Sequence, residues 1–252
     1  MLPEFSIAAE PICGSCKLDL PVGLGQLIIT NSMVMMMVVM AVLLSVGLMV
    51  RRTVSLVPGT TQNIAEMIIE FVEGMIEPAL GPYARSRFPI IASFFVFILF
   101  SNWMSLLPFV GTVGYMGEHH GKEVLIPYIR PATADLNMTL ALAFAAFVLI
   151  HSSGIGSHGL IGHFKAMAQS SWLLAPIFML IELFVIVSLS FRLFGNLFAG
   201  EVLLGLAGWA FPLVGVVFLM LEVIFGLIQA IIFTMLTLSF ASVAIGDVEG
   251  HH

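Results

Sequence analysis

A chain of 252 residues that is 60% hydrophobic and 10% charged, with a mean hydropathy of +1.09, is far from a soluble domain, in which about a quarter of the residues are charged. Its apolar runs are too long for buried strands, so composition points to an all-α integral membrane protein. The net charge of −6 comes from acids scattered over loops, one surface helix and the apolar segments themselves, and no basic patch offers a surface to nucleic acid.

Residues 1–26 read as an outward-facing tail ahead of a single membrane domain, 27–252. Glu4 and Glu10 stand where a cleavable signal would carry basic residues. Cys13 and Cys16 are spaced as Cys-x-x-Cys, but two thiols do not fill a tetrahedral zinc site and no βαβ pattern surrounds them. The expectation is a mobile tail without chemistry, a local disulfide being the alternative.

The first span covers 27–50 and is closed by Arg51 and Arg52, after which Pro58-Gly59 breaks the chain. Over 61–80, Ile64, Met67, Ile68, Phe71, Val72, Met75 and Ile76 follow the i, i+3, i+4, i+7 pattern, while Glu66, Glu70, Glu73 and Glu77 line the other side. That pattern predicts an interfacial helix lying along the membrane, its acids either solvated or forming a shelf for partner subunits. The second span, 88–110, is interrupted by Asn102 and Ser105 before Pro108.

A polar loop then runs from Gly111 to Pro131 with Glu118, His119, His120, Lys122, Glu123 and Arg130. Adjacent histidines rarely converge on a metal without further fixed ligands, so a solvated loop is expected, with no metal or cofactor site. Thr133 and Asp135 offer an N-cap for the third span, 136–153, which His151, Ser152 and Ser153 end. A connecting loop with His158, His163 and Lys165 follows.

The last two apolar stretches, 172–206 and 211–245, exceed the roughly 20 residues that cross a bilayer upright. Steep tilt accommodates them. About five membrane-embedded helices plus the interfacial one result. Arg51, Arg52, Arg85, Arg87 and Lys165 fall on one side and Lys17, Lys122 and Arg130 on the other, which places the amino terminus and the Gly111–Pro131 loop outside.

Inside the fourth stretch stands Arg192, a cation at any ordinary pH. A charge at the bilayer centre costs roughly 3 kcal/mol on insertion scales, so an intramembrane Arg is a functional hypothesis by default. The plainer alternative is an ion pair with Glu182 or Glu201 within the bundle. At about 100° per residue, Ser188, Asn196 and Gly200 share the face of Arg192, whereas Glu201, nine positions on, points to the opposite side. An i,i+4 salt bridge is excluded, and two separate partners are implied.

A second polar stripe lies in the final helix. Glu222 and Gln229, seven residues apart, share one face with Gly226 between them, where a small residue leaves room for water or a neighbouring side chain. With Glu201 and Asn102 they make a set of proton-capable groups on three helices, and two carboxyls close together titrate as a coupled pair. Such a set can relay protons part-way across a bilayer. The structural alternative is a set of packing hydrogen bonds, each worth about 0.6 kcal/mol.

These residues closely resemble subunit a of the rotary ATP synthase. The resemblance rests on Phe191-Arg192-Leu193-Phe194-Gly195-Asn196 with Ala199-Gly200-Glu201, and is supported by Ser101-Asn102 through Leu106-Leu107-Pro108, by Thr133-Ala134-Asp135-Leu136-Asn137-Met138-Thr139 and by Gln229-Ala230-Ile231-Ile232-Phe233. It implies a non-catalytic stator channel in which Arg192 faces a rotor ring of c subunits and separates two aqueous half-channels. Asn102, Glu201, Glu222 and Gln229 match positions lining the outer half-channel, Ser188 matches one of the inner half-channel, and Asn196 lies beside the Arg. Further implied partners are b-type peripheral stalk subunits and membrane lipid. The location implied is the plasma membrane of a bacterium or an energy-transducing organelle membrane.

Two departures stand out. The family often pairs a His with a Glu at the positions of Glu201 and Glu222, where this chain has two acids, and the segment before Arg192 is about one helical turn short, so the resemblance leaves open whether Glu182 lines the inner half-channel. A different class of function, a secondary transporter binding an anionic solute at Arg192, would ordinarily show internal repeats, and none is found; a structural membrane anchor is the third class.

Overall fold

The computed structural model describes residues 17–19, 26–119, 122–168, 175–210 and 212–246. Cys13, Cys16 and His120 lie outside these residues, and so does most of the tail. The described chain is mostly helical: α1 (Asn31–Thr53), α2 (Thr60–Leu80), α3 (Ala84–Met104), α4 (Leu136–Ala168), α5 (Ala175–Ala210) and α6 (Pro212–Gly246). The stretches Asn31–Thr53, Thr60–Met104, Leu136–Ser157, Val187–Gly205 and Leu213–Gly246 are each long and apolar enough to cross a membrane. Four short strands form two antiparallel pairs, β1 (Lys17–Asp19) with β2 (Gln26–Ile28) and β3 (Gly114–His119) with β4 (Lys122–Pro127).

The starts of α1 and α4 are fixed by side chains that accept from the free amides of the first turn. Thr30 Oγ1 accepts from Met33 N at 3.4 Å, and Asp135 Oδ1 accepts from Asn137 N at 2.9 Å, the N-cap expected for α4. Asp135 also accepts from Ser32 Oγ at 2.6 Å, and Asn31 Nδ2 donates to Pro127 O at 3.2 Å. The start of α1 is thereby tied to both ends of the segment that follows β4.

Three features differ from the sequence reading. α3 ends at Met104 rather than running to Val110, because Ser105 Oγ takes the Asn102 carbonyl at 2.5 Å and the next amides fall back on i→i+3 bonds, Leu106 N to Trp103 O and Leu107 N to Met104 O. The Gly111–Pro131 segment is not a simple solvated loop. Its strands pair from Gly114↔Pro127 to His119↔Lys122, and Tyr128 N→Val113 O and Gly111 N→Ile129 O carry the pairing further. α4 does not stop at Ser153 but runs to Ala168 through a break at Gly159, whose φ of 72° and ψ of 167° suit only glycine.

The acids Glu66, Glu70, Glu73 and Glu77 of α2 are exposed, while Val72, Ile76 and Leu80 are buried. Ile64, Met67 and Ile69 of the same helix are exposed. The described chain divides into two compact units, one drawn from Met1–Ser45, Phe97–Met138 and Leu193–Leu227, the other from Val46–Val96, Thr139–Arg192 and Ile228–His252. Within the second, Phe71 meets Phe95 with ring centroids 5.7 Å apart and Phe94 meets Phe233 edge-on at 6.0 Å. Buried Ile91, Ala143, Ala146 and Ala230 complete that core.

Candidate functional site

The face of α5 that the chain leaves open carries Ser188, Phe191, Arg192, Ala199 and Leu203, all exposed, with Asn196 half-buried beside them. Leu189, Ser190, Leu193 and Leu197 are buried on the opposite stripe, and Ser190 Oγ shares a 3.0 Å hydrogen bond with Thr139 Oγ1 of α4. Helical periodicity thus commits one side of α5 to its own chain and turns Arg192 away from it. Among the described residues Arg192 forms no ion pair and no hydrogen bond. The Glu182 side chain lies outside the described side chains. Glu201 is not the partner of Arg192.

Glu201 is engaged elsewhere. Arg130, which follows β4, donates from Nε to Oε1 and Oε2 at 3.2 Å each and from Nη2 to Oε2 at 3.0 Å. Arg130 is 2% exposed and Glu201 24%. The sequence reading had put Arg130 among solvated loop charges. Pairing of Val113 with Tyr128 and of Gly111 with Ile129 instead delivers it to α5. The sign that pointed to it was available: a carboxylate within an apolar helix, set nine residues from Arg192, needs a cation from somewhere else in the chain.

Glu222 and Asn102 sit in the same unit as that pair. Glu222 is buried, and its Oε1 lies so close to Gly200 that a Cβ there would overlap it. Gly200 is therefore small because the carboxyl of Glu222 occupies the space a side chain would fill. Asn102 uses both ends of its amide: Nδ2 donates to Gly226 O at 3.1 Å, and Oδ1 accepts from Thr133 Oγ1 at 3.2 Å. Trp103 Nε1 reaches Val223 O at 3.1 Å. The room expected at Gly226 is taken by Asn102, whose Cβ would stand 3.0 Å from an added methyl. Asn102 thus fastens α3 to α6, the packing role that a polar side chain within a membrane bundle ordinarily plays.

Four buried polar atoms have no hydrogen-bond partner among the described residues: Ser101 Oγ, Asn196 Nδ2, Glu222 Oε2 and Gln229 Nε2. Buried polar groups are nearly always satisfied by protein or water, so each of these calls for an explanation. Ser101, Glu222 and Asn196 belong to one unit and Gln229 to the other. The first unit accordingly holds a buried carboxyl with one free oxygen, a second carboxyl clamped by a guanidinium, and an amide that bridges two helices.

Residues 33–242 match the family described as ATP synthase A chain. Proteins named ATP synthase subunit a are similar over most of their length. That of Mycobacterium ulcerans is 38% identical over 206 residues, 79% of this chain and 80% of the relative. That of Mycobacterium marinum is 35% identical over 91% of this chain and 92% of the relative. That of Moorella thermoacetica is 32% identical over 90% and 95%.

Proposed function

From the premise that the chain belongs to the ATP synthase A chain family, we propose that it is the stator ion channel of that enzyme's membrane sector, passing protons to and from a rotor ring of c subunits. It does no chemistry on ATP itself. The observation that carries this reading is Arg192: a permanent cation in an apolar helix, exposed on the one face its own chain leaves open. A charge in an apolar helix that has no partner among the described residues is matched by a carboxylate on a neighbouring polypeptide.

The mechanism follows from that charge. A proton enters from outside along a path lined by polar groups of α3, α5 and α6, among them Asn102, Glu201 and Glu222, and Gln229 of α6 matches a position of the same half-channel in the family. It neutralises the rotor carboxylate, which can then leave Arg192 and travel through lipid. On completing its turn the rotor acid nears Arg192 again, where the fixed positive charge favours its ionised form and the proton departs inward past Ser188. Arg192 also repels a proton that would pass straight between the half-channels. Asn196, beside the Arg, faces the same ring. Each charge moved across 100 mV gains about 2.3 kcal/mol, enough to bias rotation once leakage is blocked.

The ring of c subunits, b-type stalk subunits at the acidic face of α2, and the bacterial plasma membrane complete this reading. A crosslinking experiment tests it. A cysteine replacing exposed Ala199 should form a crosslink with a small two-helix subunit in the assembled complex, and one replacing buried Leu197 should not. Equal crosslinking from both positions, or none from Ala199, counts against the assignment of this face.

A further inference from the structure

The two carboxyls of the outer path have very different surroundings, and Arg130 makes the difference. We propose that Arg130 is a positioning residue of this path, holding Glu201 as a fixed carboxylate so that the moving proton is carried by Glu222. The inference rests on the channel reading above and divides the labour within it.

Three donor contacts converge on both oxygens of Glu201, at 3.0 to 3.2 Å, from one guanidinium that is itself 2% exposed. A guanidinium is not deprotonated in a protein. If Glu201 took up a proton, Arg130 would be left as a buried cation without a counter-ion, the costliest arrangement available to it. Both oxygens of Glu201 are thereby occupied by one donor group, and the side chain is held in place as a wall of the path.

Glu222 has the opposite setting. It is buried at 8% exposure, its Oε2 has no partner, and no cation pairs with it among the described residues. Its carboxyl lies against Gly200, the residue next to Glu201. With Oε2 unpartnered, Glu222 has an oxygen open to a proton from the path, whereas both oxygens of Glu201 are taken by Arg130. Gly200 lets the two acids come this close, and Arg130 keeps them from exchanging roles. The hairpin of β3 and β4 supplies the guanidinium, which gives that extramembrane element a part in the proton path.

The test uses the whole ATP synthase in inverted membrane vesicles, with ATP-driven acidification normalised to the amount of assembled complex. Arg130→Gln, Glu201→Gln, the double variant carrying both, and Glu222→Gln are compared. Each half of the pair removed alone should slow acidification by about tenfold or more, since the partner is stranded, and removal of both should recover most of that loss, as coupled sites do in a double-mutant cycle. Should either single variant fail to assemble, the double variant still decides, because its rate per complex reports whether Glu201 is needed to carry a proton. A double variant as slow as Glu201→Gln would overturn the proposal, since Glu201 would then be a carrier itself. Unchanged rates per complex in all pair variants would also overturn it, reducing the pair to a packing element. Glu222→Gln separates the two levels of the argument: a normal rate there defeats the channel path as a whole, whatever the pair does.

Discussion

Substituting Gly226 by Ala probes the closest approach between α3 and α6. A methyl at Gly226 would stand 3.0 Å from Asn102 Cβ and 3.6 Å from Trp103 Cδ1, whereas carbon atoms rest at about 3.5–4.0 Å. Asn102 Cβ is fixed to its backbone, so α3 must withdraw by roughly 0.5–1 Å. Both hydrogen bonds that join these helices, Asn102 Nδ2 to Gly226 O and Trp103 Nε1 to Val223 O, are 3.1 Å long and stretch with that movement. Their loss at about 0.6 kcal/mol each adds to an overpacking strain of about 1–3 kcal/mol, against about 1 kcal/mol gained in helix propensity. The net expectation is a destabilisation of about 1–3 kcal/mol. Gly74→Ala is the control, since nothing lies within 4 Å of its added methyl, and it should be neutral or gain up to about 1 kcal/mol. The midpoint of SDS-induced unfolding of the detergent-solubilised complex, read for each variant, gives the comparison. A Gly226→Ala complex as stable as the Gly74→Ala complex would refute the close packing from which the magnitude was worked.

Other perturbations address the cap and the carboxyl. Asp135→Ala removes both the amide cap at Asn137 and the bond from Ser32, and should cost about 1–2 kcal/mol, with faster hydrogen exchange confined to the first turn of α4; unaltered exchange there would mean the cap is idle. Gly200→Ala pushes away the Glu222 carboxyl, the far end of a flexible side chain, so stability should change by less than about 1 kcal/mol. Proton flux through the same variant should fall by about ten- to a hundredfold, as misplacement by an ångström does at a reacting group. Parent-like flux would place the proton path away from Glu222.

Local chemistry was legible in the sequence, and distant pairing was not. Arg192 could be singled out because a cation in an apolar run is costly wherever the helix lies, and its place on the side opposite Glu201 followed from the helical repeat. Asp135 as an N-cap depends on two residues of separation, and Glu222, Gly226 and Gln229 share a face by spacing alone. The partner of Glu201, by contrast, is Arg130, 71 residues away in the chain. No periodicity connects them. The hairpin that brings Arg130 there was hidden by its polar tip, where Glu118, His119, Lys122 and Glu123 mask the pairing of Met116 with Leu125 and of Tyr115 with Ile126. Asn102 was read as a proton-capable group, and its geometry makes it first a helix fastener, because its partner Thr133 lies in a turn that has no helical pattern to read. Past Ser153 the helix continues to a break at Gly159, a position that no change in apolar pattern marks.

The central claim is that Arg192 acts on a carboxylate outside its own chain. Arg192→Ala, assembled into the complete complex and assayed for ATP-driven acidification of inverted vesicles, tests it most directly. The account predicts a normal amount of assembled complex and no proton gradient. Acidification at the parent rate would contradict it.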